Sequence, residues 1–226
     1  GYTQSYGNGS RDVWLIKTDS RGNEEWNRTF GDSFVDFGKS VQQSIDGGYI
    51  ITGSKGTDYH SDVWLIKTDA QGNEEWNQSF SGGGGRSVKQ INDSGYVVIG
   101  GTDSEENVWL IKTDPQGNEE WNRTFGGSEN DYGHSVQQTG DGGYIITGGT
   151  EYWTGASGVL LIKTDSQGNE VWSQTFGAGD YTFGNSVQQT TDGGYIITGQ
   201  YHAQHPDILI LKIDGQGNLE NKYKLP

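Results

Sequence analysis

The phrase Lys-Thr-Asp-x-x-Gly-Asn-Glu begins at Lys17, Lys67, Lys112 and Lys163, and fades to Lys-Ile-Asp-Gly-Gln-Gly-Asn-Leu from Lys212. The intervals are 50, 45, 51 and 49 residues. A self-similar period near fifty means that like units pack side by side, each burying the apolar face of the next. This constrains the fold more than any local motif does, and it assigns most recurring residues to scaffold.

Aligned copies split each unit into four strand-like segments. The first reads KSVQQS (39–44), RSVKQI (86–91), HSVQQT (134–139) and NSVQQT (185–190). The second reads GYIITGS (48–54), GYVVIGG (95–101), GYIITGG (143–149) and GYIITGQ (194–200). The third is DVWLIKT and its relatives, and the fourth is NEEWNRTF (23–30) and its relatives. Along the third segment, Val13 and Leu15 face one way and Trp14 and Ile16 the other, so both sides carry apolar bulk. Such a sheet must be sandwiched between neighbours. Asp46-Gly47-Gly48 and Asp19-x-x-Gly22-Asn23 supply the positive-φ positions that tight hairpins need. The expected fold class is all-β: a five-bladed β-propeller of four-stranded antiparallel blades, in a single domain over 1–226. The blades are expected near 1–30, 38–80, 85–125, 133–176 and 184–225. The third segment occurs five times but the first only four. The second occurs five times if Gly1–Tyr6 is a degraded copy. The first blade is therefore expected to lack its innermost strand, which is absent, trimmed or supplied by a partner; an open edge of that kind invites self-association.

The run Asp-x-x-Gly-x-x-x-Trp (Asp19, Gly22, Trp26; Asp69, Gly72, Trp76; Asp114, Gly117, Trp121; Asp165, Gly168, Trp172) resembles the tryptophan-docking motif of quinoprotein-type propellers. It departs by one residue in the Asp-to-Gly spacing, and Asn221 replaces the fifth Trp. With DGGYIITG and WLIKTD, the pattern also resembles propeller repeats of archaeal and bacterial cell-surface proteins. That resemblance implies an outer-strand Trp bracing the adjacent blade, and an extracellular or cell-surface location. No cofactor-specific residue accompanies it, so no cofactor, quinone included, is expected.

Thirty acidic against fifteen basic residues give a formal charge of −15, which opposes nucleic acid and anionic lipid. No apolar run approaches the ~20 residues of a membrane span, so no insertion is expected. With no cysteine there is neither a disulfide nor a thiolate metal site.

Function is expected outside the repeat. The connections between second and third segments vary in content, and they emerge at the same end of a meander as the connections between units. Candidate ligand-binding residues there are Tyr59, His60, Tyr132, Tyr152, Trp153, Tyr181, Phe183, Tyr201 and His202. Aromatic rings beside Asp, Asn and His suit a sugar, so a glycan or a surface protein is the expected partner of a lectin-like, non-enzymatic recognition module. The alternatives are a structural unit of a surface layer joined through its open blade, and a propeller glycoside hydrolase. For the hydrolase, Asp36, Asp131 and Asp180 are the candidates. They recur with the scaffold, whereas a catalytic pair should break it because its members differ in role, so the chain is expected not to be an enzyme. His202-x-x-His205 has metal-like spacing but is followed by Pro206 and lacks a specified carboxylate beyond Asp207, so no metal site is expected. The sequons at Asn27, Asn77 and Asn122 occupy equivalent outer-segment positions, as glycosylation or simple copying would produce.

Overall fold

The structure is a computed structural model that describes residues 1–56, 61–102, 107–152, 155–177, 181–202 and 206–225, without the side chains of 202 and 206. Its strands form five antiparallel sheets, each a meander. The first sheet has three strands in the order β1 (Tyr2–Thr3), β2 (Asp12–Thr18) and β3 (Glu24–Phe30). The second contains β4 (Val35–Gln43), β5 (Tyr49–Gly56), β6 (Ser61–Thr68) and β7 (Glu74–Phe80). The third contains β8 (Gly85–Gln90), β9 (Tyr96–Gly101), β10 (Val108–Thr113) and β11 (Glu119–Phe125). The fourth contains β12 (Asn130–Gln138), β13 (Tyr144–Glu151), β14 (Ser157–Thr164) and β15 (Glu170–Phe176). The fifth contains β16 (Thr182–Gln189), β17 (Tyr195–His202), β18 (Pro206–Ile213) and β19 (Leu219–Leu225). This is the expected five-bladed propeller with a three-stranded first blade. By contacts the chain divides into two compact units, Gly1–Ser104 with Ile111–Trp121, and Glu105–Leu110 with Asn122–Pro226.

The hairpin between third and outer strands follows from its aspartate. The Asp69 amide donates to the Asn73 carbonyl at 2.9 Å, and the Gly72 amide to the Asp69 carbonyl at 3.1 Å. The Asp69 carboxylate accepts from the backbone amides of Gln71 and Asn73, 2.8 Å each, and from the Asn73 side chain. These bonds hold its pKa, like those of Asp19, Asp114, Asp165 and Asp214, below the usual carboxylate value, the asparagine side-chain bond being the largest cause. All five copies therefore spend their carboxylate on the turn itself.

In the first unit Val13, Phe30, Ile51, Trp64 and Ile66 form a core between the first and second sheets. In the second unit Ile145, Val159 and Leu161 of the fourth sheet pack against Val187, Tyr195, Ile197, Leu209 and Leu211 of the fifth. Val63, Trp64, Leu65 and Ile66 are buried in succession, as a third strand covered on both faces requires.

The register of β1 corrects the reading of Gly1–Tyr6. Tyr2 pairs with Val13 and Thr3 with Asp12, whereas in the second sheet Ser54 pairs with Val63 and Lys55 with Asp62. Tyr2 thus stands where Ser54 does, and Gly1 where Gly53 does, its carbonyl accepting from the Trp14 amide at 3.2 Å. The N-terminal residues are the far end of a second strand, not its Gly-Tyr beginning. Its near half and the whole innermost strand have no counterpart in this sheet. Their absence is felt in side chains whose repeats are buried: Ile16 is 44% exposed against 1% for Ile66, and Val41 is 53% exposed against 0% for Val88.

Candidate functional site

The aromatic positions singled out in the sequence have different fates. Tyr59, His60 and Trp153 lie outside the described residues, as do Asp180 and His205; His202 ends β17, with its side chain outside them. The other five all belong to the second unit. Phe183 packs on Gly149, where a Cβ would stand 3.0 Å from Cε1 of its ring, and Tyr132 is the strand partner of that same glycine. Tyr152 opens a tight turn, its amide donating to the Ala156 carbonyl at 2.8 Å. The Tyr181 hydroxyl reaches toward Gly155 in that turn, and Tyr181 itself is exposed at a φ of 51°. Tyr201 is placed less openly than its loop suggested, because Lys224 Nζ lies 3.1 Å above its ring centroid and covers that face. His134 is pinned, its Nδ1 donating to the Gly184 carbonyl at 2.9 Å.

The sequon asparagines have a structural task. Asn77 Oδ1 accepts from the Trp64 indole N–H at 3.2 Å, and Asn122 from Trp109 at 3.2 Å. Asn27 does the same for Trp14 at 3.4 Å. Where the fourth repeat has Leu160 in place of the tryptophan, it has Ser173 in place of the asparagine.

The carboxylates carry the main surprise. Asp36 and Asp131 perform the same turn: the Asp36 carboxylate accepts from the Asp32 amide at 3.0 Å, and Asp131 from the Gly127 amide at 3.0 Å. In the fifth sheet the register puts Thr182, not Asp180, at this place, and its hydroxyl donates to the Phe176 and Gly177 carbonyls at 3.3 Å each. What each aspartate faces differs. Asp131 meets Asn107 over Gly126, where a Cβ would stand 2.8 Å from the Asp131 carboxylate. Asp36 meets Asp12 over Gly31, where a Cβ would stand 2.7 Å from the Asp36 carboxylate. Asp12 and Asp36 are both buried, and each has a carboxylate oxygen without a hydrogen-bond partner. Burial, and then the charges of Asp32 and Asp12, push the Asp36 pKa above the usual value, with its amide bond and Lys55 opposing. Asp32 is more open and pairs with Lys55 at 3.4 Å. The segment around Gly7–Gly9 lies against Asp12, the Gly9 amide donating to its carboxylate at 3.1 Å. The repeat is therefore broken here: a carboxyl faces a carboxyl where the later repeat has an amide. The letters Asp12 and Asn107 showed the difference, but only the fold shows that this residue meets the start of the next sheet's inner strand. Among the described residues no group of three or more His, Cys, Asp or Glu has metal-site geometry.

No model of a known protein family matches the chain, and no curated protein matches it. Solved structures do. An α-L-arabinofuranosidase from Clostridium thermocellum matches with a TM-score of 0.51 at 12% identity, over 98% of this chain and 84% of that one. An exo-β-1,3-galactanase from Phanerochaete chrysosporium matches with a TM-score of 0.51 at 11% identity, over 84% of this chain and 49% of that one. The Dos1 propeller matches with a TM-score of 0.52 at 10% identity, over 92% of this chain and 50% of that one.

At such identities the likeness is one of fold. It corrects the resemblance to quinoprotein-type and cell-surface repeat propellers, since the matching folds include glycosidases and no repeat family matches. The glycosidase matches likewise overturn the expectation of a non-enzymatic, lectin-like module. The physical ground for that expectation, a set of aspartates that never departs from the repeat, fails at Asp12 and Asp36.

Proposed function

We propose that the chain is a glycoside hydrolase whose carboxyl set is Asp36, Asp32 and Asp12. The observation that carries this reading is the raised pKa of Asp36 beside a second buried carboxylate, where the equivalent place in the later repeat has Asn107 and Asp131. Glycoside hydrolysis needs one carboxyl that keeps its proton to give to the leaving oxygen, and another that is ionised. Asp36 takes the first role, because burial, and after it the charges of Asp32 and Asp12, disfavours its ionised form. Asp32, more open and paired with Lys55, takes the ionised role. Asp12 is a positioning residue whose charge adds a smaller push in the same direction. Arabinofuranosides and β-1,3-galactans, the substrates in the names of the matching enzymes, are the first to test.

The test is turnover of arabinan, β-1,3-galactan and the matching aryl glycosides by the wild type, Asp36→Asn, Asp32→Asn and Asp131→Asn. Loss of kcat by about 100-fold or more in the first two variants, with Asp131→Asn active, is expected. A wild type silent on every substrate overturns the proposal, as does an active Asp36→Asn.

A further inference from the structure

In the second unit, between the turn ends of the fourth and fifth sheets, a cavity of about 340 Å³ is lined by Asp141, Lys163, Val171, Trp172, Gln189 and Tyr195 among others. It lies where the repeat has lost a glutamate. In the second sheet Lys67 holds two carboxylates, Asp46 and Glu75, each at 2.8 Å, and also donates to the Thr68 carbonyl. Lys112 pairs with Asp93 at 2.7 Å and with Glu120, and Lys212 with Asp192 at 3.0 Å and Glu220 at 3.2 Å. Even Lys17, with no turn aspartate opposite it, keeps Glu25. In the fourth sheet the outer-strand residue at this place is Val171, which is 60% exposed.

Lys163 has not been rearranged to suit the loss. It is buried like Lys67 and Lys112, bonds the two oxygens of Asp141 at 2.9 and 3.1 Å and donates to the Thr164 carbonyl at 2.7 Å. Lys163 faces one carboxylate, bonding both oxygens of Asp141, whereas Lys67 faces two; the place that Glu75 fills on Lys67 has no protein carboxylate on Lys163. A second carboxylate could share the ammonium, as Glu75 shares Lys67 with Asp46, and such charge-assisted bonds are among the stronger ones. The cavity wall is also preformed. The Trp172 ring is fixed between Gly217, where a Cβ would stand 3.2 Å away, and Tyr195, at a centroid distance of 5.9 Å. Nothing need be reorganised for a ligand to enter.

We propose that this cavity binds a small organic carboxylate of uronic-acid size, whose carboxylate takes the place of the repeat's glutamate on Lys163. The ring of the ligand lies against Val171 and the edge of Trp172. With ligand bound, the site holds one ammonium and two carboxylates, the charge count that the protein already tolerates at Lys67, Lys112 and Lys212. The strongly acidic net charge is therefore no obstacle. The site is remote in sequence from the Asp12–Asp36 pair and stands whether or not the chain hydrolyses glycosides.

The experiment titrates isotope-labelled protein with galacturonate and, in parallel, with galactose, following amide shifts in the second unit. Galacturonate is expected to bind at least tenfold more tightly than galactose, with shifts centred on Lys163, Val171 and Trp172. Val171→Glu restores the side chain of the other repeats, so it should fold normally yet lose galacturonate binding. Lys163→Gln should weaken binding at least tenfold. Equal affinity for the acid and the neutral sugar, no response to galacturonate, or undiminished binding by a folded Val171→Glu variant would each overturn the proposal.

Discussion

The indole of Trp26 lies against Gly72 of the following repeat, so closely that a Cβ on the glycine would stand 2.7 Å from its ring. Trp76 meets Gly117 in the same way, at 2.6 Å, and Trp172 meets Gly217 at 3.2 Å. Each ring also meets the strand-opening tyrosine of the next sheet edge-on, Trp26 with Tyr49 at a centroid distance of 5.7 Å and Trp76 with Tyr96 at 5.8 Å. One glycine thus serves two purposes, the left-handed turn of its own hairpin and a seat for the neighbour's tryptophan.

The two purposes separate by substitution. Gly22 has a φ of 84°, like Gly72 at 78°, but has nothing within 4 Å of its would-be Cβ. Gly22→Ala should cost only the left-handed strain, about 1 kcal/mol, and lower Tm by about 2–4 °C. Gly72→Ala adds the clash with Trp26 and should cost about 3 kcal/mol in chemical denaturation. Equal losses in the two variants would show that the docking contributes nothing.

Trp64 and Asn77 should behave as a coupled pair. The fourth repeat, with Leu160 and Ser173, shows that both can change together. Asn77→Ser alone leaves the buried indole N–H without its partner and should cost about 1 kcal/mol, whereas with Trp64→Leu already present the same change should cost little. A double-mutant cycle in urea measures the difference.

The acid limb of stability has a defined origin. Burial raises the pKa of Asp141, but hydrogen bonds from Thr139, Lys163 and the Gly143 amide outweigh it and hold the group at about 2, below its ordinary 3.8. Asp46 and Asp93 are lowered as well, through Lys67 and Lys112 and against the opposing effect of burial. Groups depressed on folding contribute stability above their unfolded pKa and lose it as pH falls through the folded one. Stability should therefore fall between about pH 4 and pH 2, and Asp141→Asn should flatten that fall.

Asp36 has the opposite sign. Its folded pKa is raised, so its favourable contribution is complete below the unfolded value and is lost as pH rises through the folded one. Asp36→Asn should keep an acceptor for the Asp32 amide while removing the repulsion with Asp12. Its Tm should equal or exceed the wild type near pH 7 and gain least near pH 3, as calorimetry across that range would show.

The open side of the first sheet can be filled by design. The register of Gly1 against Gly53 dictates that a copy of residues 185–198 placed directly ahead of Gly1 would continue β1 and add the missing inner strand. It would cover Ile16 and Val41, each worth about 1.5–3 kcal/mol when fully buried, less the cost of ordering the added chain. A rise in Tm of about 5 °C is expected, with slowed amide exchange in Leu15–Thr18; unchanged exchange there would mean that the added strand does not dock.

Much of this architecture was legible because it is local or periodic. The Asp69–Asn73 turn, the doubly apolar third strand and the shortage of one inner strand all follow from residues close in sequence. Three features were not legible, for three different reasons. Thr182 replaces the expected Asp180 because connection lengths vary, and the count from the bulge between Gly184 and Ser186 fixes the alignment instead. The meeting of Asp12 with Asp36 joins the first residue of a third strand to the start of the next sheet's inner strand, a contact that no period encodes. Val171 stood visibly where other repeats have glutamate, but its meaning needed the cavity that Val171 and Lys163 line together.

The tryptophan of each repeat docks forward, on the glycine of the repeat that follows, wherever the described contacts show it. That gives assembly a direction. During synthesis a sheet can pair its own strands as soon as they emerge, but its outer edge stays unlocked until the next hairpin has been made. The growing chain therefore carries one provisional sheet at its leading end, and a pause in translation within the following repeat would expose that sheet and no other.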